Sequence, residues 1–434
     1  MRYHLSDIPF LLRTSAGRRQ IIQGLRHRSL PVLARLAALH RRVFARRTRV
    51  IAVVGSFGKT TTTRATAVAL NLPLDPRLSA NALSSVALTM LRTGPWQRYS
   101  VIEAGIDNVG QMDTFSRMIR PDIAIVTSIG SEHHRSLKTL EVTRAEKARM
   151  IAAMPEESLA VLGGDDPHVR WMKTQTRARV VTFGLDEGND VRATGIELDW
   201  PGGTRFRLHV AGETHAATVR LVGPYMVYPI LAAVAVARAE GRALGPLLAS
   251  LARLPPTPGR MCPIALPNGA WLLDDAFKST LETVHAALDV FSRIPASRRL
   301  VVMGEVSEPP GSQGPIYREI GRRIAGMADV AVFLGSNFQR YAAGARRAGM
   351  ASSDLRDAGR SARKAAEILR DEIRPGDVAL IKGRDTQRLE RIVLSLLGRS
   401  VGCDVDACHV KVLPCGDCPM LEKGWTPGRR LHVP

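Results

Sequence analysis

The sequence predicts an α/β protein of two consecutive domains, each built on a mostly parallel sheet. Two observations carry that expectation. Short β-branched runs alternate with helical stretches along most of the 434 residues, the pattern of parallel strands joined by crossover helices. The alternation breaks once, at the proline-rich LPPTPGR (254–260), and then resumes. A chain of this length suits two or three domains and buries a substantial core.

Residues 1–47 read as a basic helical arm. Residues 1–50 hold 12 arginines against one aspartate, which is +11 of the net +21. Ile8, Phe10, Leu11, Leu12, Ile21, Ile22, Leu25, Val32, Leu33, Leu36 and Leu39 lie among those arginines. One or two basic amphipathic helices fit this pattern. They would lie on an anionic membrane surface, or dock on a protein partner, or pack on the body of the protein with a solvated basic face. An arginine-rich, acid-poor start also matches an organelle transit peptide. With 5% aromatics and no nucleic-acid motif, nucleic acid is not the expected partner. No apolar run reaches the ~18 residues of a membrane span, and no secretory signal is present. A cytoplasmic place is therefore expected, peripheral at the inner membrane face if the arm binds lipid.

The central domain, expected over 48–250, has five buried strands: RVIAVVG (49–55), SVIEAG (100–105), DIAIVTSIG (122–130), LAVLGG (159–164) and RVVTFG (179–184). ATGIELDWPGGTRFRLHVAG (193–212) reads as an antiparallel hairpin, and PILAAVAVARAEG as a helix ending near 241. The second domain, expected over 251–400, has strands in AWLLDDAF (270–277), RRLVVMGEV (298–306), DVAVFLG (329–335) and DVALIKG (377–383). A cysteine-rich tail, 401–434, follows.

GSFGKT, from Gly55 to Thr60, follows a strand and opens a helix, the setting of a phosphate loop. The strict spacing G-x-x-x-x-G-K-[ST] wants a glycine where Val53 stands, so only the short form is present. Glycines let backbone N–H groups approach an anion, and the helix N-terminus adds partial positive charge. Lys59 would neutralise phosphate charge and Thr60 would bind Mg²⁺. A structural turn is the alternative, which the TTTT run to Thr63 disfavours. Glu103 ends a strand, His133 follows another in TSIGSEHH, and Lys147 lies in RAEKARM. Singly, each suits a structural role. Together, after consecutive strands downstream of a phosphate loop, they suggest a divalent-metal site.

These pieces, in this order, resemble the Mur ligase family of ATP-dependent amide ligases, nearest to its tripeptide–D-alanyl-D-alanine ligase branch. GSFGKTTT matches G-S-x-G-K-T-T-T, IEAG the glutamate strand, and PDIAIVTSIGSEH the P-x-x-a-x-x-T-N-x-x-x-x-H stretch, with Lys147 at the family's lysine spacing. TPGRM contains P-G-R, LLDDAF answers D-D-[SA]-Y, and VALIKGRDTQRLE follows v-L-V-K-G-S-R-x-x-x-x-E. MGEVSEPPGSQGPIYREIG keeps the family's spacing with Tyr317 in place of a histidine. The resemblance implies a central P-loop ATPase domain and a C-terminal Rossmann-like α/β domain. It places ATP phosphates on Gly55, Ser56, Phe57, Gly58, Lys59, Thr60 and Thr61, and Mg²⁺ on Thr60 and Glu103. A second Mg²⁺ would lie near His133. The lysine matching Lys147 is carbamylated in some relatives to help hold that ion. Lys59, Glu103, His133 and Lys147 would be the catalytic set. Arg260 would serve the phosphates, Asp275 the ribose, and Lys382 with Arg384 a carboxylate of the amine substrate. A substrate carboxylate would take the γ-phosphate, and an amine would then displace phosphate from the acyl phosphate.

The chain also departs from that family. Relatives carry an N-terminal UDP-sugar domain of roughly a hundred residues, and the phosphate loop here begins at Gly55. The family's G-x-H-N-x-x-N-A-x-A-A is GPYMVYPILAA, which leaves Tyr225 or Tyr228 to stack on adenine. Phe277, Lys278 and Thr280 alter the amine side. The expectation is an acid–amino-acid ligase outside the main peptidoglycan pathway. The alternatives are a cell-wall ligase with a partner-supplied substrate domain, and a weakly catalytic ATP-binding partner subunit. In the tail, Cys403, Cys408, Cys415 and Cys418, with His409 as a substitute, have spacing for a structural Zn²⁺. Reduced thiols or a redox pair are the other readings.

Overall fold

The computed structural model describes residues 8–13, 15–408 and 413–424. Its first elements are α1 (Ile8–Leu12), α2 (Ser15–Arg28), α3 (Leu30–Val43), β1 (Arg49–Val54), α4 (Lys59–Ala69), α5 (Leu83–Arg92), β2 (Tyr99–Glu103), α6 (Gln111–Ile119) and β3 (Ile123–Val126). Next come α7 (His134–Leu137), α8 (Leu140–Ala152), β4 (Leu159–Gly163), α9 (Pro167–Trp171), β5 (Arg179–Gly184), β6 (Val191–Asp199), β7 (Gly203–Val210), β8 (Glu213–Val219), α10 (Val227–Ala239) and α11 (Leu244–Ala252). The last set is β9 (Cys262–Ala265), β10 (Trp271–Asp275), α12 (Leu281–Phe291), β11 (Arg299–Met303), α13 (Gln313–Ala325), β12 (Val330–Phe333), α14 (Phe338–Arg347), β13 (Leu355–Asp357), α15 (Ala362–Glu372), β14 (Val378–Lys382), α16 (Glu390–Leu396) and α17 (Met420–Lys423). They form two compact units, one spanning Arg28–Pro255 and one made of the described residues within Met1–His27 and Pro256–Pro434.

The Arg28–Pro255 unit is an eight-stranded sheet in the order β2-β1-β3-β4-β5-β6-β7-β8. It is parallel from β2 through β6 and antiparallel from β6 to β8. Successive side chains of a strand point to opposite faces, so Ile51 and Val53 enter one core while Val50, Ala52 and Val54 enter another. The first core is roofed by α4, α10 and α11, and the second by α3, α5, α6 and α8. Both faces of the parallel strands are covered, which is why these strands read as continuous apolar runs.

Half of the arginine-rich arm belongs to this core. Pro31 stands in the first turn of α3, and His40, Arg41 and Arg42 in its last turn complement the helix dipole. Leu33, Ala34 and Ala37 lie on the sheet. Arg41 is buried, donating to Ile119 O, Arg120 O and Ala45 O and pairing with Asp122 at 2.9 Å. Asp122 also accepts from Val50 N at 2.7 Å, so one carboxylate ties α3 to the first turn of β1.

The other unit carries a six-stranded sheet, β13-β12-β11-β14-β10-β9, antiparallel only at the β9 edge. Leu300, Val302, Val332, Ala379 and Ile381 pack on α15 and α16. Strands β8, β9 and β13, absent from the sequence reading, are all short or edge segments. The expected third strand stops at Val126, and Thr127–Gly130 forms a loop instead.

Replacing Arg41 with alanine leaves Asp122 without its partner beneath α3. Because breaking a buried pair typically costs several kcal/mol, R41A is expected to lose about 3 kcal/mol of unfolding free energy in urea titration. An unchanged midpoint would show that α3 is held by apolar contact alone.

Candidate active site

The site grows from the register of three parallel strands. Val53 of β1 pairs with Glu103, the last residue of β2, and Val54 pairs with Val126, the last residue of β3. The chain therefore leaves β1, β2 and β3 at the same edge of the sheet, where open α/β sheets bind ligands.

The glycine loop is pinned to the segment after β3. Ser56 N donates to Ser128 O at 2.8 Å, Phe57 N to Ser128 Oγ at 3.0 Å, and Thr127 Oγ1 to Phe57 O at 2.6 Å. Gly55 has φ of +144°, and a Cβ there would stand 2.0 Å from Thr127 Oγ1. Gly58, in the left-handed region at φ +77°, is the N-cap of α4. These two positions need glycine because no side chain fits the first and few residues tolerate the second.

Lys59 folds back over the loop. Its Nζ donates to Gly55 O at 2.9 Å, Ser56 O at 3.0 Å and Glu132 Oε2 at 3.1 Å. Thr60 and Thr61 stand in the first turn of α4, which starts at Lys59. Glu132, which sequence reasoning passed over, also faces His133, with Oε1 3.5 Å from Nε2. His133 itself sits at φ 59° and ψ 35°, a conformation uncommon outside glycine. The only signal for Glu132 was its place beside that histidine.

Lys147, 3% exposed, donates from Nζ to Ser56 Oγ at 2.8 Å. Ser56 Oγ in turn accepts from Gly130 N at 2.9 Å. Helix α8, which carries Lys147, is fixed by the Thr139 cap and by buried Glu146, whose Oε1 accepts from Met112 N at 3.0 Å. The structure thus brings Lys59, Ser56, His133 and Lys147 into one hydrogen-bonded group, linked through Glu132 and the loop backbone.

Glu103 is buried and receives Asn81 Nδ2 on Oε1 at 2.7 Å. Its Oε2 is buried with no hydrogen-bond partner. A buried carboxylate oxygen left unmatched is costly, and a cation on that oxygen would satisfy it. A carboxylate oxygen, with a hydroxyl such as that of Thr60 in the first turn of α4, is hard oxygen chemistry of the kind that would suit Mg²⁺. Asn81, 22 residues upstream in a loop, carried no sequence signal.

Of the two expected adenine platforms, Tyr225 is exposed, whereas Tyr228 donates its hydroxyl to Asp165 Oδ2 at 2.8 Å. Burial and Asp165 push the Tyr228 pKa upward, keeping it a neutral donor. Asp165 also accepts from Leu185 N and Asn189 Nδ2, both at 2.6 Å.

In the second unit, Asp275 and Lys382 meet each other. Lys382, 1% exposed, pairs with Asp275 Oδ2 at 2.5 Å and donates to Lys278 O at 2.7 Å. Burial lowers the Lys382 pKa and Asp275 opposes that. The two residues expected to serve a ribose and a carboxylate are here each other's counter-ion. Arg260 stacks over Phe277 at 4.8 Å, and Arg384 pairs with Glu305 at 2.8 Å. Tyr317, standing where the family has histidine, is buried and accepts from Val306 N at 3.2 Å. Burial pushes the adjacent Asp274 carboxyl up to about 7, opposed by the Ala276 amide and reinforced by Asp275.

The zinc expectation finds no support among the described residues, which hold no group of three or more metal-ligating side chains. All four tail cysteines are free thiols, and the tail is organised by an arginine. Buried Arg391 donates to Cys403 O at 3.0 Å, Gln387 O at 2.9 Å and Val405 O at 2.9 Å, with Cys403 Sγ at 3.6 Å. Burial and Glu390 push the Cys415 thiol well up, and a guanidinium lies against Cys403. His409 lies outside the described residues.

Comparison with known proteins places this geometry. The Mur ligase middle domain model matches residues 53–237, and the Mur ligase glutamate ligase domain model matches 259–384. The UDP-N-acetylmuramoyl-tripeptide–D-alanyl-D-alanine ligase of Mycobacterium bovis is 30% identical over 394 residues, 85% of this chain and 77% of the relative. The Escherichia coli enzyme of that name is 29% identical over 278 residues, 63% of this chain and 61% of the relative. This chain thus spans about three fifths of the length of the Escherichia coli relative. Among solved structures, MurF from Acinetobacter baumannii superposes with a TM-score of 0.74 at 24% identity, covering 85% of this chain and 81% of that one. MurF from Thermotoga maritima, solved with ADP, gives 0.72 at 22% identity, covering 85% and 83%. The chain belongs to the Mur ligase family of ATP-dependent amide-bond-forming ligases, with a MurF-like fold.

Two predictions follow from the geometry of these carboxylates. Glu103→Gln keeps the Asn81 contact and removes the unmatched charge. Its melting temperature is expected to hold or rise, while the extra thermal stabilisation that Mg²⁺ gives in the presence of ADP disappears. Retention of that Mg²⁺ increment would move the metal elsewhere. Asp274, with a folded pKa above its unfolded ~3.9, contributes stability that is complete below that value and lost as pH rises through about 7. Denaturation midpoints measured from pH ~4 to ~8 should decline in the wild type and decline less in Asp274→Asn. Equal slopes would refute the assignment.

Proposed function

We propose that the chain is an ATP-dependent amide ligase of the MurF-like, peptidoglycan-precursor class, which activates a carboxylate as an acyl phosphate and couples it to an amine. The observation that carries this reading is the convergence of Lys59, Ser56, Lys147 and Glu103 at the ends of β1 and β2. Phosphoryl transfer is mostly positioning and charge neutralisation, and those are the tasks these groups can perform.

In this reading the Gly55–Thr61 loop and the N-terminus of α4 hold the phosphates, and Lys59 exchanges loop carbonyls for phosphate oxygens. Mg²⁺ at Thr60 and Glu103 would supply charge neutralisation between the phosphates. A substrate carboxylate oxygen bonds to the γ-phosphorus as the bond to the ADP oxygen breaks. Amine nitrogen then bonds to the acyl carbon, the C–O bond to phosphate breaks, and the nitrogen loses a proton. Lys147, fixed by Ser56, and His133, facing Glu132, border the place where the carboxylate would enter. Family relatives are named for a UDP-muramoyl tripeptide and D-alanyl-D-alanine, and these are the first substrates to test here. Substrates outside the main pathway are the finer proposal. It rests on the amine side, where Phe277 lies under Arg260 and Tyr317 fills a histidine position.

The test is amine-dependent phosphate release from ATP across a panel of carboxylates and amines, with Lys59→Ala beside it. Turnover is expected with at least one pair, and K59A should fall by about 10²-fold or more, as when one preorganised charge-stabilising donor is removed. ATP binding without amine-dependent turnover for any pair would favour a non-catalytic partner subunit. Turnover with the muramoyl tripeptide and D-alanyl-D-alanine alone would end the finer proposal.

A further inference from the structure

The exposed face of α3 has no role in the chemistry above. At about 100° per residue, Val32, Leu36, Leu39 and Val43 fall within a stripe about 60° wide. That stripe points away from Leu33, Ala34 and Ala37, which lie on the sheet. Its four side chains are 48 to 59% exposed, and four exposed aliphatic residues on one face of one helix form a continuous apolar stripe. Phe44, at the C-cap and on a different side of the helix axis from the stripe, is also exposed and stacks on His40.

Trp96 is a further exposed apolar side chain, on the turn that the end of α3 holds. His40 Nε2 lies 2.8 Å from Thr93 O, and Thr48 Oγ1 donates to Gly94 O at 2.9 Å, so the turn before β2 is tied to the end of α3. The indole lies against Gly94, where an added Cβ would stand 2.3 Å from the ring, and it is nevertheless 82% exposed. A tryptophan held by its backbone and left in solvent is poorly explained by packing.

The charges around the patch have one sign. Residues 28–47 contain no aspartate or glutamate. Arg35, Arg42, Arg46 and Arg47 are exposed, and Asp122, the carboxylate that α3 meets, is taken by Arg41. Apolar side chains, an exposed indole and unopposed arginines together are the chemistry of the interface of an anionic bilayer. The helix has 14 residues, too few to cross a ~30 Å hydrocarbon core, and no helix among the described residues qualifies as a span. A second copy of the chain would set arginine against arginine, and nucleic acid offers nothing to the aliphatic stripe.

We propose that the outer face of α3, with Phe44 and Trp96, is a lipid-binding surface that holds the protein peripherally on anionic membranes. Helix α3 lies along the interface with its aliphatic stripe among the acyl chains, and Arg35, Arg42, Arg46 and Arg47 reach phosphate headgroups. This surface is independent of the ligase reading.

The test is sedimentation of the full-length protein with phosphatidylglycerol-containing vesicles and with phosphatidylcholine vesicles, at low and physiological salt. Binding is expected to the anionic vesicles only and to weaken with salt. Leu36→Glu/Leu39→Glu should lower the partition coefficient at least tenfold, and Arg35→Ala/Arg42→Ala about 30-fold, taking each interfacial arginine at its usual worth. Melting temperature, with and without ADP, should be unchanged in both variants, which separates lost binding from lost folding. The proposal fails if the wild type ignores anionic vesicles, if both vesicle types bind equally, or if the variants bind like wild type. It fails equally if the wild type is a dimer in solution that Leu36→Glu/Leu39→Glu converts to a monomer.

Discussion

The register of β1 between β2 and β3 is the constraint on which the site depends. Parallel pairing brings Val53 beside Glu103 and Val54 beside Val126, so three connections leave one sheet edge together. The glycine loop then takes its shape from its neighbour as much as from its own sequence. Thr127 and Ser128 hold both the N–H and the carbonyl of Phe57, and Thr127 fills the space that Gly55 leaves. A shift in the register of β3 would detach the loop without altering a residue in it. This explains why Val53 is harmless where the longer glycine spacing wants glycine: it lies inside β1, buried and paired.

Charge in the two units is handled in opposite ways. Around the glycine loop, Lys59 and Lys147 are held by hydrogen bonds to backbone carbonyls, to the Ser56 hydroxyl and to the Glu132 carboxylate, which also faces His133. Two ammonium groups beside a loop of backbone N–H groups favour an anion there. In the other unit, Lys382 and Asp275 are buried together, and Asp274 beside them is driven towards its neutral form by burial. Burying two carboxylates next to one ammonium is tolerable only because one of them need not ionise. The lysine that looked available for a substrate is thus engaged inside the protein, while Arg384, paired with Glu305 and more exposed, keeps access to solvent.

What the sequence revealed, and what it hid, follows from the reach of each signal. The parallel strands were legible because burial on both faces makes them continuous β-branched runs, as in VIAVV and DIAIV. Edge strands β9 and β13 were not, since three or four residues carry no measurable period and β9 contains a proline. The Mur-type constellation could be read from spaced motifs. Asn81 and Glu132 could not, because their significance lies in contacts across 22 and 73 residues. The arginine-rich arm misled in part: composition alone cannot distinguish Arg41, buried among carbonyls, from Arg42, which faces water. The tail misled for a related reason. Cysteine spacing suggested a metal, whereas Arg391, in an unremarkable helix, supplies the centre around which Cys403 and Val405 fold.

Glu132 shows how a loop this positive remains stable. A lysine bonded only to two loop carbonyls would still be a buried charge with partial compensation. The Glu132 carboxylate completes it at 3.1 Å while its second oxygen faces His133 at 3.5 Å. A phosphate entering the loop competes for the same ammonium and repels the same carboxylate. If phosphate binds the loop as proposed, the Glu132–His133 contact lies next to it and would feel the added negative charge. His133 itself has a left-handed backbone at the start of a single helical turn. Lys147 on α8 is joined to the same loop through Ser56, so the ammonium groups of two helices meet at one turn of chain.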